Sequence, residues 1–400
     1  MRKEDIIRIE DEYLVRTYQK LGIVISKGKG SRVWDIDGKE YLDFMGGYGV
    51  AIVGHSHPRI IEAIRRQASK LIICHGSLYN DERASFIEEL LKVSPKSLEM
   101  AYLSNSGAEA VEAALKMVRK FTGKRKFIAA VGAYHGKTMG ALSVTYSNKY
   151  RAPFAPFPYE VEFVRFGSIE DIEKCNFSNV AGIILEPIQG EGGVKVPPPD
   201  YLKAVRELAD KKGVPLIIDE IQTGLARTGK MWAHQHWNIE PDVMTIGKGI
   251  ASGIPMGVTL AKKEIASSLK VGEHTSTFGG NPLSSSVAKA VLEIITKEKL
   301  EERARLMGQK LIDGLKDIAC SSRIVREVRG LGLMIGIELR VRFQDILFES
   351  IKKGLLMLYS GKNILRLLPP LIINEKDVRE ALEILKYSII NEDKRRHIEQ

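Results

Sequence analysis

The chain has 400 residues, 44% of them hydrophobic and 28% charged, enough for a large buried core shared by a principal and a smaller domain, with no apolar stretch of membrane-spanning length. Its three cysteines, Cys74, Cys175 and Cys320, are odd in number and lack CxxC spacing, which argues against a disulfide framework or a cysteine zinc site; with no signal-peptide core after Met1, the reading is a cytoplasmic protein with no membrane contact. Sixty Lys+Arg against 50 Asp+Glu give +10, but the basic residues are interleaved with acids, so no nucleic-acid partner is expected and an acidic partner protein remains the charge-based alternative.

In chain order, Val33–Phe44 reads as two strand runs around an Asp37-Gly38 turn. From about residue 100 to 260, short apolar runs alternate with helical segments, the pattern of βαβ units and a mainly parallel sheet. Met100–Ser104 is a strand, followed by a helix through about Lys120 with Val111, Leu115 and Val118 on one face. Phe127–Val131, Ala181–Leu185 and Leu216–Ile218 are further buried strands. Beyond them come a helix-rich stretch from about Ser284 to Ala319, the run Gly332–Leu339, a helix, a strand at Asn363–Leu368 and a closing helix. The fold expected is α/β: an N-terminal segment (1–50) packing with the small domain, a large domain (51–290) whose mainly parallel sheet is sandwiched by helices, and a small α+β domain (291–400).

Two features carry chemistry. The run Leu216-Ile217-Ile218-Asp219 ends in an acid, and Lys248 lies between Gly247 and Gly249, 29 residues further on. Pyridoxal phosphate chemistry needs such a pair: a lysine amine to form a Schiff base with the aldehyde, and a carboxylate to keep the pyridine nitrogen protonated. Ser106-Gly107-Ala108, between a strand and a helix, reads either as a phosphate-binding helix start or as an ordinary N-cap. His135 follows a strand and Tyr134, a place from which it can contact a ring at the sheet edge.

Gly224–Lys230 imitates a P-loop behind a Walker-B-like strand, so a nucleotide-binding protein is the alternative from another class. It is disfavoured, because Met231 stands where Ser or Thr should ligate magnesium and the acid lies on the strand feeding the same loop. His234 and His236, like His55 and His57, lack a third ligand at zinc-site spacing and read as helix-surface and turn residues; no metal is expected.

Seven blocks, in order, resemble the class III (subgroup II) aminotransferases of fold-type I: Asn105–Ala110, Tyr134–Gly136, Glu186–Gly192, Asp219–Gly224, Gly247–Gly249, Ser276–Pro282 and Arg366–Pro370. Within that class the length and Gly332–Gly336 are most similar to acetylornithine aminotransferases and to archaeal-type enzymes acting on aminoadipate or glutamate semialdehyde held on an acidic amino-group carrier protein.

The resemblance implies Lys248 as the Schiff-base lysine and Asp219 as partner of the pyridinium nitrogen. Tyr134 would stack on the ring, with His135, Glu186 and Gln222 beside it. Ser106, Gly107 and Ala108 would hold the phosphate, and Thr277 would reach it from the second subunit of a homodimer with shared sites. Arg366 would bind the α-carboxylate of glutamate or 2-oxoglutarate, with Glu191 pairing with Arg366 when a distal amine is bound. Lys137 stands where many acetylornithine-type enzymes have an arginine that helps to hold a substrate carboxylate, and some diamine aminotransferases also carry lysine there. Tyr18 could offer its hydroxyl to that carboxylate or be a buried structural residue. The implied reaction moves the terminal amine of an N-blocked ornithine- or lysine-type donor to 2-oxoglutarate, in arginine or lysine biosynthesis; 4-aminobutyrate, free ornithine or a diamine are the alternative donors.

Overall fold

The computed structural model describes residues 1–398. Its strands are, in chain order, β1 (Ile25–Lys29), β2 (Arg32–Asp35), β3 (Glu40–Asp43), β4 (Met100–Ser104), β5 (Lys126–Ala130), β6 (Glu160–Val164), β7 (Val180–Leu185) and β8 (Leu216–Asp219). β9 (Val243–Ile246), β10 (Gly257–Ala261), β11 (Val325–Leu331), β12 (Met334–Leu339), β13 (Leu355–Leu356), β14 (Leu358–Ser360) and β15 (Ile364–Leu367) complete the set.

Seven strands form the central sheet in the order β4-β10-β9-β8-β7-β5-β6. The pairs β9–β8, β8–β7, β7–β5 and β5–β6 are parallel. β10 runs antiparallel to both β9 and β4, so the largely parallel reading holds with one reversed strand.

The middle strands are continuously apolar because both of their faces are covered. Alternate residues serve opposite layers. Ile128, Ile183, Leu185, Leu216 and Ile218 pack with Leu202, Val205 and Leu208 of the helix Tyr201–Lys212. Phe127, Ala181, Ile184 and Ile217 pack with Val111, Leu115 and Val118 of the helix Gly107–Thr122. Each such large side chain contributes roughly 1.5–3 kcal/mol by leaving water, which fixes the register of the sheet and hence of the loops at its ends.

β11-β12-β15-β14 form a second, antiparallel sheet. β1, β2 and β3 form a third with β13, so the segment from Ile25 to Asp43 is tied to the C-terminal part of the chain. Arg32 reinforces that tie, donating to Glu380 at 2.7 Å and to Asp377 at 3.0 Å. The predicted helical stretch from Ser284 to Ala319 is two helices, Pro282–Lys297 and Leu300–Cys320, broken at Lys299, whose φ is 51°. No described helix is long and apolar enough to cross a membrane.

Candidate active site

Four neighbouring parallel strands, β5, β7, β8 and β9, deliver their C-terminal ends to one crevice, where open α/β sheets gather ligands. Tyr134 and His135 follow β5, Glu186 follows β7, Asp219 closes β8, and Lys248 follows β9. All five line a cavity of about 520 Å³ together with Gly107, Ala108, Lys137, Glu191 and Gln222. Gly247 lets the lysine loop close on the helix start: a Cβ there would sit 3.1 Å from the Gly107 Cα.

The start of the helix Gly107–Thr122 is capped by Ser106, whose Oγ accepts from the Glu109 amide at 3.2 Å. Ser106 thus fills the cap role, and Gly107 and Ala108 present the first turn, with its free N–H groups and positive dipole end, to the cavity.

Charge inside the cavity is arranged by burial. His135 Nδ1 lies 2.7 Å from Asp219 Oδ2; a carboxylate only accepts, so the imidazole donates from Nδ1. The Ile221 amide donates to the other oxygen, Oδ1, at 3.0 Å. Glu186 accepts from the amides of Tyr134 (3.1 Å) and Gly190 (3.0 Å), yet its burial raises its pKa to about 7. Burial also holds the Lys248 amine below its ordinary pKa, opposed by Asp219, Glu191 and Glu186. The Tyr134 hydroxyl is pushed up to about 12, chiefly by burial and then by Glu191.

Arg366, on β15, is fully buried and donates from Nη2 to Glu191 Oε1 at 2.7 Å; Glu191, 28% exposed, is the member of the pair that lines the cavity. The Nε and Nη1 atoms of Arg366 find no partner among the described residues. Lys137 stands at the rim with its Nζ 4.5 Å from the Tyr150 ring centroid and 5.9 Å from that of Tyr134.

Four predicted residues are outside the cavity lining: Ser106 and Arg366, which stand behind it, and Thr277 and Tyr18. Thr277 is exposed and outside the cavity lining. Tyr18 is 85% exposed and outside the cavity lining, so it is not a buried structural tyrosine.

The histidine reading needs correction. His234 is buried, not on a helix surface: its Nδ1 lies 3.0 Å from Glu220 Oε1, and its amide donates to the same oxygen at 2.9 Å. Thr223 Oγ1 donates to Glu220 Oε2 at 2.5 Å, so the second acid of the Asp219-Glu220 pair braces the turn that carries Gln222. The sequence offered no signal for this, since Glu220 and His234 are 14 residues apart in an irregular segment.

The P-loop imitation is buried as well. Arg227, at its centre, donates from Nη1 to the carbonyls of Leu333 (3.1 Å) and Pro369 (2.5 Å), while Lys230 is exposed. No cradle for a nucleotide phosphate forms there. Among the described residues no group of His, Cys, Asp and Glu could hold a metal ion.

Pyridoxal phosphate fits what the cavity offers. There is an amine whose burial lowers its pKa (Lys248), a carboxylate fixed by two donors (Asp219) and a helix N-terminus for the phosphate. His135 Nε2 and Gln222 Oε1 are buried polar atoms without a partner among the described residues, and both side chains line the cavity.

Comparison with known proteins agrees. Residues 13–389 match the family model Aminotransferase class-III. The chain is 42% identical to the [LysW]-aminoadipate semialdehyde/glutamate semialdehyde transaminase of Sulfolobus acidocaldarius over 94% of its own length and 97% of the relative's. It is 40% identical to the acetylornithine aminotransferase of Methanothermobacter thermautotrophicus over 97% and 99%. Among solved structures, the ornithine aminotransferase of Toxoplasma gondii, with PLP at partial occupancy in its active site, superposes with a TM-score of 0.96 at 35% identity, covering 99% of this chain and 96% of that one. The chain belongs to the class-III aminotransferases and is a fold-type I, pyridoxal-phosphate-dependent transaminase.

Proposed function

We propose that this transaminase moves the terminal amino group of an ornithine- or lysine-type donor with a blocked α-amine to 2-oxoglutarate, forming glutamate. The observation that carries the reading is the Arg366–Glu191 pair beside the cavity of Lys248. A guanidinium fork suits an α-carboxylate, and a carboxylate that can pair with it masks that fork when the incoming donor presents a distal amine. The semialdehyde transaminase and acetylornithine aminotransferase relatives, at 42% and 40% identity over almost the whole chain, support this donor class.

Pyridoxal phosphate, when bound, supplies an electrophilic aldehyde and a ring that withdraws electrons from the amine-bearing carbon. Lys248 Nζ is the attachment point and, once released, the base that takes a proton from the donor carbon; its lowered pKa favours the neutral amine that role needs. Asp219, oriented by His135, would hold positive charge on the ring nitrogen. Tyr134 would cover the ring and Gln222 would lie beside it, with Glu186 holding the Tyr134 loop in place. Gly107 and Ala108, after the Ser106 cap, receive the phosphate. Lys137, and Tyr18 from the exposed N-terminal segment, would meet the donor's carboxylate end.

The working unit is a homodimer in which Thr277 completes the phosphate site of the partner subunit. Its exposure, and the exposed apolar run Leu71, Ile72 and Ile73 with Phe278, support an interface on that side. A net charge of +10 supports a donor carried on an acidic protein.

A donor panel with 2-oxoglutarate tests the reading: carrier-bound substrate, N-acetylornithine, free ornithine, 4-aminobutyrate and putrescine. The first two should give the highest kcat/KM, and turnover of the carrier-bound donor should fall more steeply with salt. Preference for ornithine or putrescine would reassign the donor; equal salt dependence would remove the steering by charge.

A further inference from the structure

We propose that Tyr150 is a specificity-determining residue: its ring holds the Lys137 ammonium at the cavity mouth, and that placement selects amine donors with a carboxylate at the end remote from the transferred amine. The inference rests on the assignment of this cavity to donor binding.

Lys137 makes no ion pair among the described residues, although its backbone lies at the cavity rim and Glu191 lines the same space. Its Nζ is instead 4.5 Å from the Tyr150 ring and 5.9 Å from the Tyr134 ring, and the two rings meet edge-on at 6.0 Å and 79°. A ring face attracts a cation without cancelling its charge. The two tyrosines therefore fix a long, flexible side chain in place and leave its full positive charge for an incoming anion.

Tyr150 is well placed for this because its own position is fixed. It lies on the short helix Asn148–Arg151, and the next residue, Arg151, packs its guanidinium over Phe157 at 5.0 Å and Phe163 at 4.8 Å. A lysine is a point charge without the bidentate geometry of arginine, so where it sits depends on what it rests against. With the donor's terminal amine at Lys248 in the floor of the cavity, an N-acylated amino acid directs its carboxylate towards the rim, where Lys137 stands.

The test compares wild-type holoenzyme with Tyr150→Phe, Tyr150→Leu and Lys137→Met. Two donors of the same length are used: N-acetylornithine, and N-acetylputrescine, which lacks the carboxylate. N-acetylnorvaline, which keeps the carboxylate but lacks the terminal amine, is titrated by calorimetry as a non-reacting probe. The selectivity for N-acetylornithine should fall on the order of tenfold to a hundredfold in Lys137→Met and about threefold to tenfold in Tyr150→Leu, with matching loss of N-acetylnorvaline affinity, while Tyr150→Phe keeps both because the ring face survives.

An unchanged ratio and affinity in Tyr150→Leu, in an enzyme whose wild type prefers N-acetylornithine, would overturn the inference alone. Loss in Tyr150→Phe equal to that in Tyr150→Leu would also overturn it, by moving the effect from the ring to the hydroxyl. A wild type that turns over neither donor while still reacting with glutamate would remove the donor reading and this inference with it.

Discussion

His135 Nδ1 donates to Asp219 Oδ2 across 2.7 Å, both side chains almost fully buried at the C-terminal end of the sheet. The carboxylate assigned to the ring nitrogen is therefore oriented by the His135 imidazole behind it and by the Ile221 amide beside it. Asp219→Asn keeps the shape but removes the charge, and kcat should fall on the order of a thousandfold. His135→Leu leaves Asp219 charged but less well oriented, for a smaller loss of about tenfold to a hundredfold. Single-turnover rates with glutamate check both; equal losses, or an Asp219→Asn enzyme near wild-type rate, would refute the ordering.

Glu186 makes stability depend on pH in an unusual direction. Its folded-state pKa of about 7 lies above the ordinary glutamate value of 4.5, so the folded chain binds this proton more tightly than the unfolded one. The corresponding stability is fully present below about 4.5 and is lost as pH rises through about 7. The Glu186→Gln variant cannot titrate there, so the difference in Tm between wild type and variant should shift against the wild type between pH 5 and 8. A pH-independent difference would place the Glu186 titration elsewhere.

The Glu191–Arg366 pair predicts opposite effects on one substrate. Arg366→Lys loses the planar fork, and KM for glutamate should rise on the order of tenfold to a hundredfold with a smaller change in kcat. Glu191→Gln removes the competitor for Nη2, so KM for glutamate should fall while KM for the terminal-amine donor rises. Half-reaction kinetics with each amine read this directly. Parallel changes for both amines would mean that Glu191 does not discriminate between them.

Much of this site was legible in the sequence because strands buried on both faces are unbroken apolar runs, and each runs straight into its functional residue: Leu216-Ile217-Ile218 into Asp219, and Val180–Leu185 into Glu186. Strand direction was not legible. Gly257–Ala261 reads like its neighbours, yet only ten residues separate it from Ile246. That is too few for the usual helical crossover, so the strand returns antiparallel. The break at Lys299 also escaped, since no glycine or proline marks it among Thr296–Lys299. His234 and Arg227 were hidden for another reason: their partners are a carboxylate and carbonyls distant in sequence, and no local pattern encodes such a contact.

The central claim, that Lys248 Nζ carries the cofactor, is tested most directly by adding pyridoxal phosphate, reducing with borohydride and mapping the modified peptide by mass. Wild type should show a visible-edge absorption band and, after reduction, a single pyridoxyl adduct on Lys248, both lost in Lys248→Ala. An adduct at another lysine, or a band that survives in Lys248→Ala, would contradict it.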